Sequence, residues 1–198
     1  MNRVDRLIRD QRIGQAARFV RPGSRVLDIG CHDGQLFRVI GPGLREGIGL
    51  DPDLAGRLVG ANYTLGPGVF PADATDANDA AGTFAAGTFA PGTFDSVCAL
   101  AVLEHVGAGE RAGFVAAIAS LLRAGGEAIL TVPAPAVDRI LDVAMRFGVL
   151  DGMEAGQHHG FKIGEVVPLF EDAGLRLERH DTFQFGLNHL FVFRKPAA

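Results

Sequence analysis

The chain has 198 residues, 47% of them hydrophobic, a formal net charge of −4 and two cysteines. That length suits one domain burying roughly 70% of its unfolded surface, and the apolar content excludes a disordered chain. The acidic balance argues against a nucleic-acid partner, and two cysteines are too few for a disulfide framework.

Residues 1–21 read as an N-terminal helix and its exit. Val4, Leu7, Ile8, Ala16, Ala17, Phe19 and Val20 supply an interrupted apolar stripe. Arg3, Arg6, Arg9 and Arg12 recur every third residue. The expected reading is a solvated helix face, because Asp5 and Asp10 dilute the field; an anion-binding patch is the alternative. Arg21-Pro22-Gly23-Ser24 then ends the helix.

From residue 25 onwards, strands and helices alternate. Strand 25–29 leads to helix 34–40, and strand 46–50 to a short helix near 53–59. A strand around 63–70 precedes a loop with Asp73. Strand 94–100 leads to helix 109–122, and strand 127–132 stops at Pro133. Such alternation implies a parallel sheet with helices on both faces. Helix 164–173 ends at Gly174, and strands 175–183 and 189–194 flank a linker short enough for an antiparallel hairpin. The sum is an α/β fold: seven strands, mostly parallel, closed by a C-terminal hairpin. Gly-Thr-Phe recurs at 82–84, 87–89 and 92–94. Three copies make no solenoid, and the third opens strand 94–100, so the repeat reads as a loop expansion away from the chemistry. No apolar run approaches ~18 residues and no signal peptide is visible, so a cytoplasmic protein without a membrane span is expected.

The chemistry concentrates after the first strand. Arg25-Val26-Leu27-Asp28-Ile29 runs into Gly30-Cys31-His32-Asp33-Gly34 and then an apolar helix. A strand, a glycine-spaced turn and a helix bring bare backbone against a nucleotide-like ligand. Gly30 and Gly34 permit the close approach that a Cβ would block. Asp51, stiffened by Pro52, ends the second strand at about the 20-residue spacing of a ribose ligand. Asp28 suits an ammonium group or loop amides equally, and Asp73 lies where an adenine amino group is read.

The ordered series Val26-Leu27-Asp28-Ile29-Gly30-Cys31-His32-Asp33-Gly34, Gly49-Leu50-Asp51, Ala72-Asp73-Ala74, Phe94-Asp95-Ser96-Val97, Val102-Leu103-Glu104-His105-Val106 and Leu122-Arg123-Ala124-Gly125-Gly126 resembles that of class I S-adenosylmethionine-dependent methyltransferases. Within the class it is similar to the type 11/12 small-molecule enzymes related to the ubiquinone pathway. The resemblance runs from about residue 22 to 132 and implies a Rossmann-like fold with S-adenosylmethionine as cofactor. It places Asp28, Gly30 and Gly34 at the methionine moiety, Asp51 at the ribose, and Asp73 with Ala74 at the adenine. Backbone around Ala99 and Leu100 would face the sulfonium. Cys31, His32 and Pro52 complete the cofactor-contacting set, with His32 standing where most members carry a glycine.

The implied division is one methyltransferase domain over 1–198. It comprises the N-terminal helix (1–21), the cofactor core (22–132), a substrate cover (133–163), and a helix with the hairpin (164–198). His105, His158 and His159 are the candidate bases, because histidine titrates near neutrality. The expected acceptor is a small metabolite or a glycan- or lipid-linked intermediate. One alternative is a metal-dependent RNA methyltransferase using Glu104, His105 and His158 or His159. Its first family glutamate is Ala101 here, so no metal ligand is assigned. The other alternative is a binding module that has lost turnover. The oligomeric state is left open.

Overall fold

The computed structural model describes residues 3–71, 89–134 and 161–197. Helix α1 (Arg3–Ala17) buries Ile13 and Ala16 and leaves Leu7 exposed. Strand β1 (Arg25–Ile29) is buried from Val26 onward. Gly34, at φ +74°, caps the six-residue α2 (Gln35–Ile40), which buries Leu36 and Phe37. Phe37 stacks on Tyr63 with ring centroids 5.2 Å apart. Strand β2 (Glu46–Leu50) follows.

The short helix expected near 53–59 does not form. Pro52 and Gly56 break that stretch, and Leu58–Val59 form a strand (β3) that turns back on β4 (Tyr63–Gly66). Leu58 pairs with Leu65 and Val59 with Thr64, antiparallel, and Gly60 N–H donates to the Tyr63 carbonyl at 2.8 Å. The described residues therefore hold eight strands where seven were expected.

Strand β5 (Phe94–Leu100) leads through a 3-10 turn at Leu103–His105 to α3 (Arg111–Leu121). Strand β6 reaches from Leu122 to Pro133, longer than 127–132, because Leu122 already pairs with Phe94 before a register shift. Helix α4 (Val166–Asp172) is followed by Gly174 at φ +81°, and β7 (Arg176–Phe183) and β8 (Asn188–Arg194) form the expected hairpin.

The strand order is β3-β4-β2-β1-β5-β6-β8-β7. Strands β4, β2, β1, β5 and β6 are mutually parallel, while β8 runs antiparallel to β6 and β7. Two apolar layers sandwich this sheet. On one face Ile13 and Ala16 of α1 and Leu36 and Phe37 of α2 pack with Val26, Cys98, Ile129 and Leu190. On the other, Phe114, Val115 and Ile118 of α3 and Val166 and Phe170 of α4 pack with Phe191 and Phe193. Phe170 stacks on Phe193 at 4.5 Å between centroids, and His180 on Phe191 at 4.2 Å. No helix among the described residues is long and apolar enough to cross a membrane.

Candidate functional site

The parallel strands leave their C-terminal ends along one rim, and the chain turns there between β1 and α2. Gly30 and Gly34 adopt φ +72° and +74°, and a Cβ on either would come within 2.7 Å of Val102 Cγ2 or Leu65 Cδ1. Between them His32 takes φ +47°, the left-handed backbone that a glycine would adopt at lower cost. Its ring is three-quarters exposed, 3.7 Å from Asp33. Cys31 instead tucks under the turn, and burial, then the charges of Asp28 and Asp51, push its thiol far up.

Two carboxylates flank this turn. Asp51 is 8% exposed, and its oxygens accept the His32 N–H at 2.8 Å and the Asp53 N–H at 2.9 Å. Each oxygen keeps a further acceptor position, so the group can still take two donors such as ribose hydroxyls. Asp28 sits on β1 between Gly49 of β2 and Cys98 of β5. Burial first, and the nearby Asp51 charge second, raise its pKa to about 8. A cationic group placed beside it would favour the ionised form.

Helix α1 closes the cleft from above. A cavity of about 180 Å³ is lined by Arg9, Arg12, Ile13, Asp28, Gly30 and Leu100, among others. Reading the arginine stripe as a solvated face is thus corrected for Arg9 and Arg12, while Arg6 is exposed. The signal was available: Arg9, Arg12, Ile13 and Ala16 stand at i, i+3, i+4 and i+7, one face of the helix. Burial lowers the Arg12 pKa, and the field of Glu104 partly offsets this. Glu104 itself is 2% exposed.

The structure brings together most of the cofactor set. Asp28, Gly30, Cys31, His32 and Leu100 line the cleft, Asp51 binds the turn that forms its floor, Pro52 lies exposed beside it, and Ala99 is buried on β5. Asp73, Ala74, His158 and His159 lie outside the described residues. His105 is exposed, its N–H given to the Val102 carbonyl at 2.9 Å, and it is not among the cleft residues. Glu104 turns in where His105 turns out. Among the described residues no three His, Cys, Asp or Glu side chains converge as a metal site.

Known proteins share this fold. The family model described as a methyltransferase domain matches residues 3–180. No curated protein gives a significant match. Solved structures do. A chain of the Haloferax volcanii complex between the Trm112 methyltransferase activator and a methyltransferase superposes with TM-score 0.70 at 15% identity, covering 97% of this chain and 93% of that one. Magnesium protoporphyrin IX methyltransferase from Synechocystis, solved with bound S-adenosylhomocysteine, gives 0.66 at 18% identity, covering 98% and 88%. An O-methyltransferase family protein from Burkholderia thailandensis gives 0.66 at 16%, covering 99% of this chain and 57% of its own. With the glycine turn, the paired acids and a family match over most of its length, the chain belongs to the methyltransferase-domain family, the class I S-adenosylmethionine-dependent methyltransferases.

Proposed function

We propose that this methyltransferase holds S-adenosylmethionine across the Gly30–Gly34 turn and methylates a small metabolite or a glycan- or lipid-linked intermediate. One observation carries the cofactor placement: a turn too tight for Cβ atoms lies between two buried acids that still have acceptor positions to offer. Asp51 takes the ribose hydroxyls. Asp28, ionised once a cation sits beside it, takes the methionine ammonium. Arg9 and Arg12 in the cleft wall suit the methionine carboxylate, since a half-buried guanidinium is a strong partner for an anion.

When bound, the cofactor supplies a methyl group already activated on a sulfonium, so the protein's share of the rate is alignment and exclusion of water. Leu100, at the cleft edge, suits the apolar flank of that sulfonium. Domain limits follow the same reading: α1 covers the cofactor, 22–132 hold it, and the hairpin closes the far end of the sheet. For the metal-dependent RNA alternative, Glu104 is buried and His105 exposed, and His158 and His159 lie outside the described residues.

S-adenosylhomocysteine at millimolar concentration is expected to raise the melting temperature, whereas NAD is not. Arg12→Ala should weaken S-adenosylhomocysteine by about tenfold while leaving 5′-methylthioadenosine, which lacks the amino-acid portion, unaffected. Calorimetry with both ligands checks this. No shift with S-adenosylhomocysteine, or equal weakening of both ligands, would count against the placement.

A further inference from the structure

Two buried polar atoms beside the cofactor cleft, Thr131 Oγ1 and Asn188 Oδ1, have no hydrogen-bond partner among the described residues. Thr131 is fully buried and Asn188 is 2% exposed. Keeping such groups unpaired costs a protein stability, so each calls for a reason.

The two share one face of the sheet. Across β6 and β8, Thr131 pairs with Leu190 and Pro133 with Asn188. Leu190 belongs to the apolar layer under α1, so Thr131 and Asn188 project to that side as well. Diagonal neighbours on a sheet lie within reach of one small ligand. Leu100, opposite Thr131 on β5, lines the cofactor cleft. The pair therefore lies one and two strands along from that cleft residue, buried and outside the lining of the cavity itself.

A chain of hydrogen bonds sets what Asn188 offers. The Ile8 carbonyl on α1 can only accept, so the Gln184 group that meets it at 3.1 Å is the amide NH2. Gln184 Oε1 then faces Asn188, which must donate its own NH2. The Asn188 carbonyl oxygen is left to accept. Thr131 can accept too, so the pair asks for a donor.

We propose that Thr131 Oγ1 and Asn188 Oδ1 form the acceptor subsite, receiving an N–H or O–H group of a small polar substrate. This rests on the cofactor placement above and adds a substrate class: an amine or hydroxyl compound, not an apolar ring or an activated carbon. Both atoms lie under α1, so that helix must lift to admit the acceptor and then encloses it away from water. Held by its hydrogen atom, the acceptor presents its lone pair. That pair forms the bond to the methyl carbon, the carbon–sulfur pair returns to sulfur, and the proton passes to water when α1 lifts to release the product.

The test uses the full chain saturated with S-adenosylhomocysteine, with thermal shift reading the binding of glycine, ethanolamine and catechol. Glycine betaine and 1,2-dimethoxybenzene, which lack donors, serve as matched controls. Transfer is read with methyl-labelled S-adenosylmethionine. At least one donor compound should bind and be methylated, and neither control should bind. Thr131→Val and Asn188→Leu should each raise its KM about tenfold, with S-adenosylhomocysteine affinity unchanged. Thr131→Val should also keep or raise the melting temperature, because it removes an unpaired hydroxyl. If S-adenosylhomocysteine itself gives no shift, the cofactor placement falls and the subsite with it. The subsite alone is overturned if that shift appears but no donor compound binds, if the controls bind equally, or if KM stays unchanged in both variants. A clear drop in melting temperature for Thr131→Val would mark the hydroxyl as part of the fold's own bonding, and would also overturn it.

Discussion

Asp28 shows how one buried acid couples stability to ligand. Its native pKa of about 8 stands above the ordinary 3.8, chiefly through burial. For an acid shifted upwards, the folded chain keeps the proton. Native stability is therefore full below about pH 4 and is lost as the pH rises towards about 8. Asp28→Asn should thus be more stable than the parent, by a margin that widens from pH 5 to pH 8 in urea unfolding. Conversely, a cationic ligand group pulls the Asp28 pKa down. S-adenosylhomocysteine binding at pH 7 should release a proton, seen as a binding enthalpy that depends on buffer ionisation heat. A pH-independent margin and a buffer-independent enthalpy would together refute the assignment.

At this scale the sequence was legible where chemistry and spacing agreed. Asp28, Gly30, Gly34 and Asp51 each stand at a strand end or in a turn, and all were readable from a strand pattern followed by glycines. Arg12 was seen only as part of a solvated stripe, and Thr131 and Asn188 were not singled out. Their importance depends on which strands become neighbours and on which helix lies above, and neither is written in local residue type.

Among the elements, the β1–α2 turn is the least forgiving. Gly34→Ala would place a Cβ in left-handed backbone, costing about 1–2 kcal/mol, and against Leu65, which is buried and has little room to move. A loss of about 2 kcal/mol or more is expected once the crowding is added, with the cleft disturbed at the same time. Urea unfolding and S-adenosylhomocysteine calorimetry on the same variant would check both. Continuous apolar strands such as β1, β2 and β5 were readable to the residue, because their burial on both faces leaves one solution. The segment Pro52–Val59 was not. Leu58 and Val59 are exposed, at 52% and 75%, so no buried face marked their period. Pairing with β4 decided their conformation instead.

Over the whole molecule, the hairpin is bound to α4 by stacked rings rather than by ion pairs. Phe170→Ala would remove a fully buried ring lying on Phe193 and should cost about 3–5 kcal/mol. Because α4 and the cleft proposed for the cofactor lie on opposite faces of the sheet, the loss should appear in thermal unfolding while S-adenosylhomocysteine affinity at low temperature is kept. The layered α/β plan and the closing hairpin were readable from element order alone. The eighth strand was not, since two residues carry no period.

Among the described residues the eight-stranded sheet has two outer strands, β3 and β7, and each bears on how copies of the protein meet in solution. An open row of amides and carbonyls invites another chain to add itself. Here β3 offers only two residues. Along β7, exposed Arg176, Glu178 and Arg179 stand in the way, with Glu178 and Asp181 engaged by Arg194 and Arg179. An incoming strand would find too short a ladder at one margin and charges to strip of water at the other. The fold thus carries its own guard against fibre growth, and concentrated samples should scatter no more light than separate molecules do.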